Sequence, residues 1–183
     1  MKRTIFAVIL SLFAFQTVMA QQTTAPVKEA NPADVVSIDA IIKATYDVIS
    51  GDAGAKRDWD RFRSLFYKGA RLIPTGKNTQ TGVFGGGAAT PDEYIKRSEP
   101  FFDKEGFYES EIGRRTEIYG NIAHVFSTYE SKHSPSDKEP FMRGINSFQL
   151  LNDGKRWWVI TIFWQGETKE TPIPKKYLKT KKD

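Results

Sequence analysis

The chain has 183 residues, a formal net charge of +5 and no cysteine, and its length suits a single domain. The missing cysteine excludes disulfides, thiol chemistry and cysteine-based zinc sites. The first 20 residues carry +2 and residues 169–183 carry +4, which leaves −1 for residues 21–168. Because a nucleic-acid-binding domain carries its basic patch on the folded surface, no nucleic-acid partner is expected.

The first 20 residues have the layout of a secretory signal peptide. Lys2 and Arg3 precede an apolar run over residues 5–15, and Val18 and Ala20 stand at the −3 and −1 positions of a cleavage site. The apolar run is shorter than a membrane span. We therefore expect a periplasmic or secreted protein, cleaved after Ala20 and without a membrane span.

A flexible leader is predicted over residues 21–32, followed by a first helix over 33–50. Asn31 supplies an N-cap, and a proline occupies the first helical position. Apolar residues recur with the spacing of one buried helix face, and Gly51 ends the pattern. Tyr46 lies on this helix, where its side chain could point inward.

Two further helices are predicted before residue 107. One covers 56–67, where Trp59, Phe62 and Phe66 share a face. The other begins at a capping box, Thr90 to Glu93, and ends before Gly106. Between them, the pattern indicates a short strand over 70–73 and a mobile loop or loose hairpin over 75–89. The triple glycine in that loop is not followed by the Lys-Ser/Thr of a phosphate-binding loop.

Four long strands are predicted after residue 107. They cover 107–119, 121–132, 140–151 and 155–167, and short turns join them into an antiparallel meander. Asp153-Gly154 predicts a hairpin turn with positive φ at both residues. Gly113 and Gly144 are candidate bulges that would bend the sheet.

The pattern predicts an α+β fold with a strongly bent antiparallel sheet wrapped around N-terminal helices, a cystatin-like cone. The domain is expected to cover residues 33–168. The lysine-rich segment 169–183 is predicted to be a basic flexible tail.

Three segments of the predicted sheet resemble the nuclear transport factor 2-like superfamily, which includes SnoaL-like polyketide cyclases and ketosteroid isomerase. The segments are 119–127 (YGNIAHVFS), 143–150 (RGINSFQL) and 153–160 (DGKRWWVI). They resemble the sheet signatures of exported bacterial members, and the likeness covers about residues 35–167. It implies a curved sheet that encloses a pocket, often with dimerisation through the sheet.

The enzymes of this superfamily imply an acid–base pair inside the pocket, such as the aspartate base and oxyanion donors of ketosteroid isomerase. No aspartate occurs over residues 107–132, so that set of residues cannot be aligned here. His124 is a candidate general base if its strand face lines the cone, although we favour a structural histidine. Glu109 and Glu111 share one side of a strand, and a solvated face is the favoured interpretation.

Other side chains are candidates for the pocket wall. Arg143 could hold a ligand carboxylate or lie exposed over an aromatic ring, and the second interpretation is favoured. The remaining pocket candidates are aromatic residues that could equally close the core: Tyr46, Trp59, Phe62, Phe66 and Phe126. Two histidines without a third ligand do not make a metal site, so neither a metal nor another cofactor is expected.

The last strand is apolar on both alternating faces. We expect helices to cover one face and a second copy of the chain to cover the other, because a sheet with a solvated face alternates apolar and polar residues. The candidates for these two faces are Trp157, Trp158, Phe163 and Trp164. A homodimer is therefore predicted.

Three functions remain open from the sequence. The favoured one is an exported protein that binds a small, largely apolar molecule, with no assignable catalysis. The first alternative is an isomerase, cyclase or dehydratase that uses a pocket histidine or glutamate as general base. The second is a structural dimerisation or interaction domain with an interior filled by its own aromatic residues.

Overall fold

The computed structural model describes residues 29–179. The predicted signal peptide, its cleavage position and most of the predicted leader lie outside this range. No helix within it is long and apolar enough to cross a membrane.

Four helices precede the main part of the sheet. They are α1 (Pro32–Val35), α2 (Ile38–Ile49), α3 (Trp59–Ser64) and α4 (Pro91–Phe102). The predicted first helix is divided, because the Ser37 hydroxyl accepts a hydrogen bond from the Ala40 amide and starts α2 anew. The predicted capping box of α4 is present: the Thr90 hydroxyl accepts from the Glu93 amide, and the Glu93 carboxylate accepts from the Thr90 amide.

Six strands form one sheet. They are β1 (Phe66–Lys77), β2 (Phe84–Gly86), β3 (Tyr108–Tyr119), β4 (Ile122–Lys132), β5 (Met142–Asn152) and β6 (Trp157–Gly166). Their order across the sheet is β2-β1-β6-β5-β4-β3. The predicted meander is present as β3 to β6, where each strand pairs antiparallel with the next.

Strand β1 makes the sheet mixed rather than antiparallel as predicted. It pairs in parallel with β6, for example Leu72 with Ile162, and it begins at Phe66. The predicted second helix therefore ends three residues early, and the short strand predicted over 70–73 is a 12-residue strand. The α+β prediction with N-terminal helices against a bent sheet is confirmed.

The helices cover one face of the sheet, which is called here the inner face. Its buried side chains include Val125, Phe148 and Val159 from three neighbouring strands, and they pack with Ile41 and Ile42 of α2. All five side chains are fully buried. The opposite face is called the outer face.

Bulges decide which side chains reach the inner face. The predicted bulge at Gly113 is present as a register shift between Glu111 and Gly113. The one predicted at Gly144 is absent, because Gly144 pairs in register with Tyr129. A further shift occurs in β6, where Val159 pairs with Leu150 and Thr161 pairs with Gln149, so that Ile160 is the extra residue.

The β5–β6 turn has four residues, 153–156, and only Gly154 has positive φ, at 90°. The prediction of positive φ at both Asp153 and Gly154 is therefore wrong. Asp153 instead closes the turn with its side chain, which accepts hydrogen bonds from the amides of Lys155 and Arg156 and from the Trp158 indole.

The segment after β6 lies against the outer face. A 3₁₀ helix, Lys175–Tyr177, places the Tyr177 carbonyl 2.6 Å from Thr128 Oγ1 and the Lys176 carbonyl 2.9 Å from Arg115 Nε. Because of these contacts, the prediction of a flexible tail from residue 169 does not describe its first part, up to residue 179.

Candidate functional site

A cavity of about 270 Å³ lies between the helices and the inner face, and we call it the cone pocket. Its walls are mainly aromatic, with side chains from α3, α4, β5 and β6. The main ones are Phe62, Tyr94, Phe102, Phe148 and Trp164. Arg97, Phe101 and Met142 also line it and are exposed, so the pocket opens to solvent beside α4.

The carboxyl group of Glu109 is the acidic group at the pocket wall. Strand β3 places it on the inner face, where Ser131 Oγ donates to Oε2 at 2.9 Å and Asn146 Nδ2 donates to Oε1 at 3.3 Å. Burial raises the pKa of Glu109 from 4.5 to about 7, although these two hydrogen bonds oppose the shift. The group can therefore gain or lose a proton near neutral pH.

A chain of hydrogen bonds leads away from Glu109 toward α2. Asn146 Nδ2 also donates to Tyr46 Oη at 3.1 Å, and Tyr46 Oη lies 2.7 Å from Ser127 Oγ. Ser127 Oγ in turn donates to Glu111 Oε1 at 2.6 Å. Since Ser127 has only one hydrogen to donate, Tyr46 must be the donor in its contact with Ser127.

The second carboxylate of this network is held by arginine. Arg114 donates to both oxygens of Glu111 at distances from 2.6 to 3.0 Å, and it also pairs with Asp39 of α2. The two carboxylates of β3 therefore differ: Glu111 is paired with a cation, whereas Glu109 receives only neutral donors. A solvated face, the interpretation favoured from the sequence for both residues, is wrong.

Three tyrosines near Glu109 stay neutral at physiological pH. Burial is the main cause, and it raises the pKa of Tyr46, Tyr94 and Tyr129 well above the ordinary value of 10. Together these groups form an apolar pocket with a proton acceptor and hydroxyl groups at its wall.

Among residues 29–179, no cluster of three or more histidine, aspartate or glutamate side chains is placed to hold a metal ion.

The structure brings two of the predicted pocket residues together. Tyr46 and Phe62 both line the cone pocket. Trp59 and Phe66 pack behind Phe62, with ring centroids 5.7 Å and 4.7 Å from it, so they support the wall.

The other candidates lie on the outer face. His124 Nε2 is 3.1 Å from Ser147 Oγ, and its ring packs edge-on against Phe126 at 4.8 Å. Arg143 forms an ion pair with Glu167 at 2.7 Å. Because these side chains lie across the sheet from the pocket, His124 is not placed to act on a molecule bound there.

The aromatic residues of β6 divide between the two faces. Trp157 and Trp164 pack against the buried core, and Trp164 meets Tyr94 edge-on at 6.4 Å. Trp158 contacts Tyr67 and the Arg156 guanidinium, and Phe163 is 48% exposed on the outer face. The bulge at Ile160 causes this division, which strict alternation along the strand does not give.

A second, larger concavity of about 980 Å³ lies on the outer face, and we call it the outer groove. Phe126, Ile145 and Phe163 form its floor, and the loop-flanked strand β2 and residues 170–174 form its sides. Its floor is mainly apolar, and His124 lies beside it next to Ser147.

Sequence reasoning did not select Asn146, and it undervalued Glu109. The alternation of β5 does place Asn146 on the same side as Phe148 and Leu150. A polar residue in an otherwise apolar row could therefore have marked Asn146 as a candidate for the site. For Glu109, the shared side with Glu111 was recognised, but not that this side faces inward.

The sequence matches no known protein-family model, and no curated protein is significantly similar to it. Solved structures, however, show the same fold. A protein of unknown function with a cystatin-like fold from Nostoc punctiforme PCC 73102 superposes with a TM-score of 0.54 at 10% identity, covering 73% of this chain and 91% of that one.

Two further structures are similar at low identity. A Xanthomonas campestris protein, provisionally named a calcium/calmodulin-dependent protein kinase II association domain, gives a TM-score of 0.51 at 13% identity, covering 72% of this chain and 86% of that one. A nuclear transport factor 2-like protein of unknown function from Silicibacter pomeroyi DSS-3 gives a TM-score of 0.49 at 14% identity, covering 72% of this chain and 94% of that one. With its helices against a six-stranded mixed sheet, this chain therefore has the cystatin-like α+β fold.

Proposed function

We propose that this protein binds a small, largely apolar molecule in the cone pocket. The observation that carries the proposal is a partly enclosed cavity of about 270 Å³ whose aromatic walls converge on the polar groups of Glu109, Tyr46 and Asn146. Small-molecule sites combine apolar walls with a few placed polar groups in this way, and their volumes begin near 300 Å³. An interior filled by the protein's own aromatic side chains would leave no such cavity.

Binding can be tested with 2-naphthol, a neutral fluorescent probe that is small enough for the pocket. We expect one molecule to bind per chain, with chemical shift changes at the amides of Tyr94, Asn146 and Trp164. Replacing Ser98, which lines the pocket, by phenylalanine should remove binding by filling the space. Glu117→Gln on the outer side of β3 is the matched control, because its side chain is 87% exposed. Absent binding, or equal binding by Ser98→Phe, would overturn the proposal.

The pKa of Glu109 near 7 favours a second candidate function, proton-transfer catalysis. A carboxylate with such a pKa in an apolar pocket can remove a proton from carbon next to a carbonyl group and return it at another position. Tyr94 and Tyr129 line the same pocket, and burial keeps their hydroxyl groups neutral. This candidate corresponds to an isomerase, cyclase or dehydratase with Glu109, rather than His124, as base.

Catalysis can be tested by following deuterium exchange into 2-tetralone with NMR. If Glu109 is the base, the exchange rate should rise with pH through about pH 7, where the carboxyl group ionises, and then level off. Glu109→Gln should lower the rate by a factor of about 100 or more. His124→Ala should leave it unchanged. Exchange no faster than in buffer alone would remove this candidate for 2-tetralone-like ketones.

We further propose that the protein is exported and forms a homodimer through the outer face. The signal-peptide pattern of residues 1–20 supports export, and its test is the N-terminus of protein recovered from the periplasm, expected at Gln21. The exposed Phe163 and the apolar floor of the outer groove support a second copy of the chain as partner.

A further inference from the structure

Among the described residues, the carboxylate of Glu109 has no cationic partner. Its two hydrogen bonds come from neutral donors, Ser131 and Asn146. Within residues 29–179, no lysine, arginine or histidine nitrogen lies within the 4.0 Å of an ion pair with it, in contrast to Glu111 and its Arg114. A carboxylate has about four acceptor positions, so two are left for another donor.

The side chains hydrogen-bonded to Glu109, and those next to them in the network, have no hydrogen left to donate. Both hydrogens of the Asn146 amide nitrogen are used, one toward Glu109 and one toward Tyr46. The Tyr46 hydroxyl donates to Ser127, and Ser127 donates to Glu111. Every donor in this hydrogen-bonded network is therefore directed at a carboxylate or at another member of the network. A ligand group placed against the ionised carboxylate of Glu109 therefore has to be a donor itself.

The walls of the cone pocket suit a positively charged ligand. The rings of Phe62, Phe102 and Phe148 line it, and aromatic faces attract cations most strongly where water is excluded. Tyr94 and Tyr129 are uncharged. The guanidinium that lines the pocket, Arg97, belongs to an exposed residue of α4 and forms no ion pair with Glu109.

We propose that the cone pocket takes a small organic amine, whose ammonium group pairs with Glu109 while its apolar body lies among the aromatic rings. The inference rests on the proposed binding function and narrows its ligand class. An ammonium group has three donors and no acceptor, which matches the free acceptor positions of the carboxylate. It also supplies the opposite charge that a buried carboxylate otherwise lacks.

Tryptamine and tryptophol form a matched pair of probes, because they differ only in an ammonium group against a hydroxyl group. By isothermal titration calorimetry at about pH 8.5, where Glu109 is ionised and the amine is still protonated, tryptamine should bind about tenfold or more tighter than tryptophol. Glu109→Gln should remove this preference, because the charge that distinguishes the two probes is then absent. Glu117→Gln, the same substitution on the exposed side of β3, should bind both probes with the affinities of the wild-type chain.

The unmodified chain provides an independent test through pH. Tryptamine requires the ionised carboxylate, so its affinity should fall by up to about tenfold for each pH unit below 7, while that of tryptophol should not fall. The three tyrosines that face Glu109 do not titrate in this range, because burial raises the pKa of Tyr46, Tyr94 and Tyr129 well above 10 and keeps them neutral.

Each outcome is decisive. Equal or tighter binding of tryptophol by the wild-type chain overturns the amine proposal and leaves the binding function standing. A tryptamine preference that persists in Glu109→Gln also overturns it, because the charge would then be recognised elsewhere. If neither probe binds at millimolar concentration, both the amine proposal and the binding function fail.

Discussion

Glu109 carries an acidic group at a position where burial favours its neutral form. Below about pH 4.5 the carboxyl group is protonated in both the folded and the unfolded chain. Between pH 4.5 and 7 the folded chain retains a proton that the unfolded chain releases. The free energy of unfolding therefore decreases as the pH rises through this window, and above pH 7 the full cost is present.

Glu109→Gln should stabilise the protein at pH 8 and have little effect near pH 4.5. The shift from 4.5 to about 7 corresponds to about 3 kcal/mol at most, and we expect a gain of about 1–3 kcal/mol because glutamine loses one of the two accepted hydrogen bonds. Urea unfolding of both chains across pH 4.5 to 8 measures it. A stability difference that does not grow with pH would show that the folded-state pKa of Glu109 is ordinary.

Tyr46→Phe should destabilise the protein by about 1–3 kcal/mol at all pH values between 5 and 9, because it removes two buried hydrogen bonds, the one that Asn146 donates to Tyr46 and the one that Tyr46 donates to Ser127. Urea unfolding measures the loss. Tyr67→Phe is the matched control, since Tyr67 is 44% exposed and should change the free energy of unfolding by less than about 0.5 kcal/mol. Equal losses in the two variants would contradict the buried network.

For individual side chains, the sequence predicts well which of them lie on the same side of a strand. It predicts less well which of the two sides faces the helices. The pairing of Glu109 with Glu111 and of His124 with Phe126 follows from alternation alone. Which row of side chains faces inward depends on where the helices pack, and those helices are distant from the strands in the sequence. Since both faces of this sheet carry apolar residues, hydrophobicity could not decide between them, and the candidate base His124 lies on the outer face.

Among the elements, the segment 171–179 is anchored through a close approach to the bulge of β3. A Cβ atom at Gly113 would fall well inside van der Waals distance of the Tyr177 carbonyl oxygen, and 3.0 Å from the carbonyl carbon of Leu178. Only glycine leaves space for this backbone. The anchor therefore depends on one position of the strand.

Gly113→Ala should detach this segment from the outer face, so that its backbone at the exposed residues Lys175 and Lys176 can enter the active site of a protease. Limited trypsin digestion followed by mass spectrometry should show faster cleavage at these lysines than in the wild-type chain, with the rest of the domain intact. Gly87→Ala serves as the control, because a Cβ atom there meets nothing within 4 Å. Cleavage at the wild-type rate in Gly113→Ala would contradict the anchor.

The elements that the sequence predicted well are those with local signals. The capping box of α4 and the four strands of the meander fall close to their predicted positions, because caps and turns are determined by neighbouring residues. The length of β1 and its parallel pairing with β6 were missed. Glycine and proline in its sequence suggested a break, and a parallel pair has no turn that would reveal it.

For the whole molecule, Phe163→Glu should convert the proposed homodimer into monomers at micromolar concentration. Phe163 is 48% exposed in the single chain, so a charge there should leave folding unchanged but place an unpaired carboxylate in the interface. Light scattering measures the mass, and Val36→Glu, a substitution at an apolar residue of the helical side that is 71% exposed, is the control. A monomeric mass for the wild-type chain would remove the dimer.

The fold class as a whole followed from the order of helices and strands, whereas the space inside it did not. Whether Phe62 and Phe148 meet across the interior or leave room between them depends on how far the sheet bends, and no local pattern records that. The sequence therefore allowed both an open pocket, which was the favoured hypothesis, and a cone filled by its own aromatic residues.

The extra residue in β6 determines which side chains reach each face beyond it. Because Ile160 is extra, Val159 and Ile162 can both point inward although they are three positions apart. A strand of the same length without the bulge would exchange the faces of Phe163 and Trp164, and the wall of the cone pocket would then gain a smaller ring and the outer face a larger one. Deleting Ile160 should instead remove the bulge and leave both rings on their present faces. In related chains, a gap of one residue at this point would therefore mark a straighter strand beside an unchanged pocket wall.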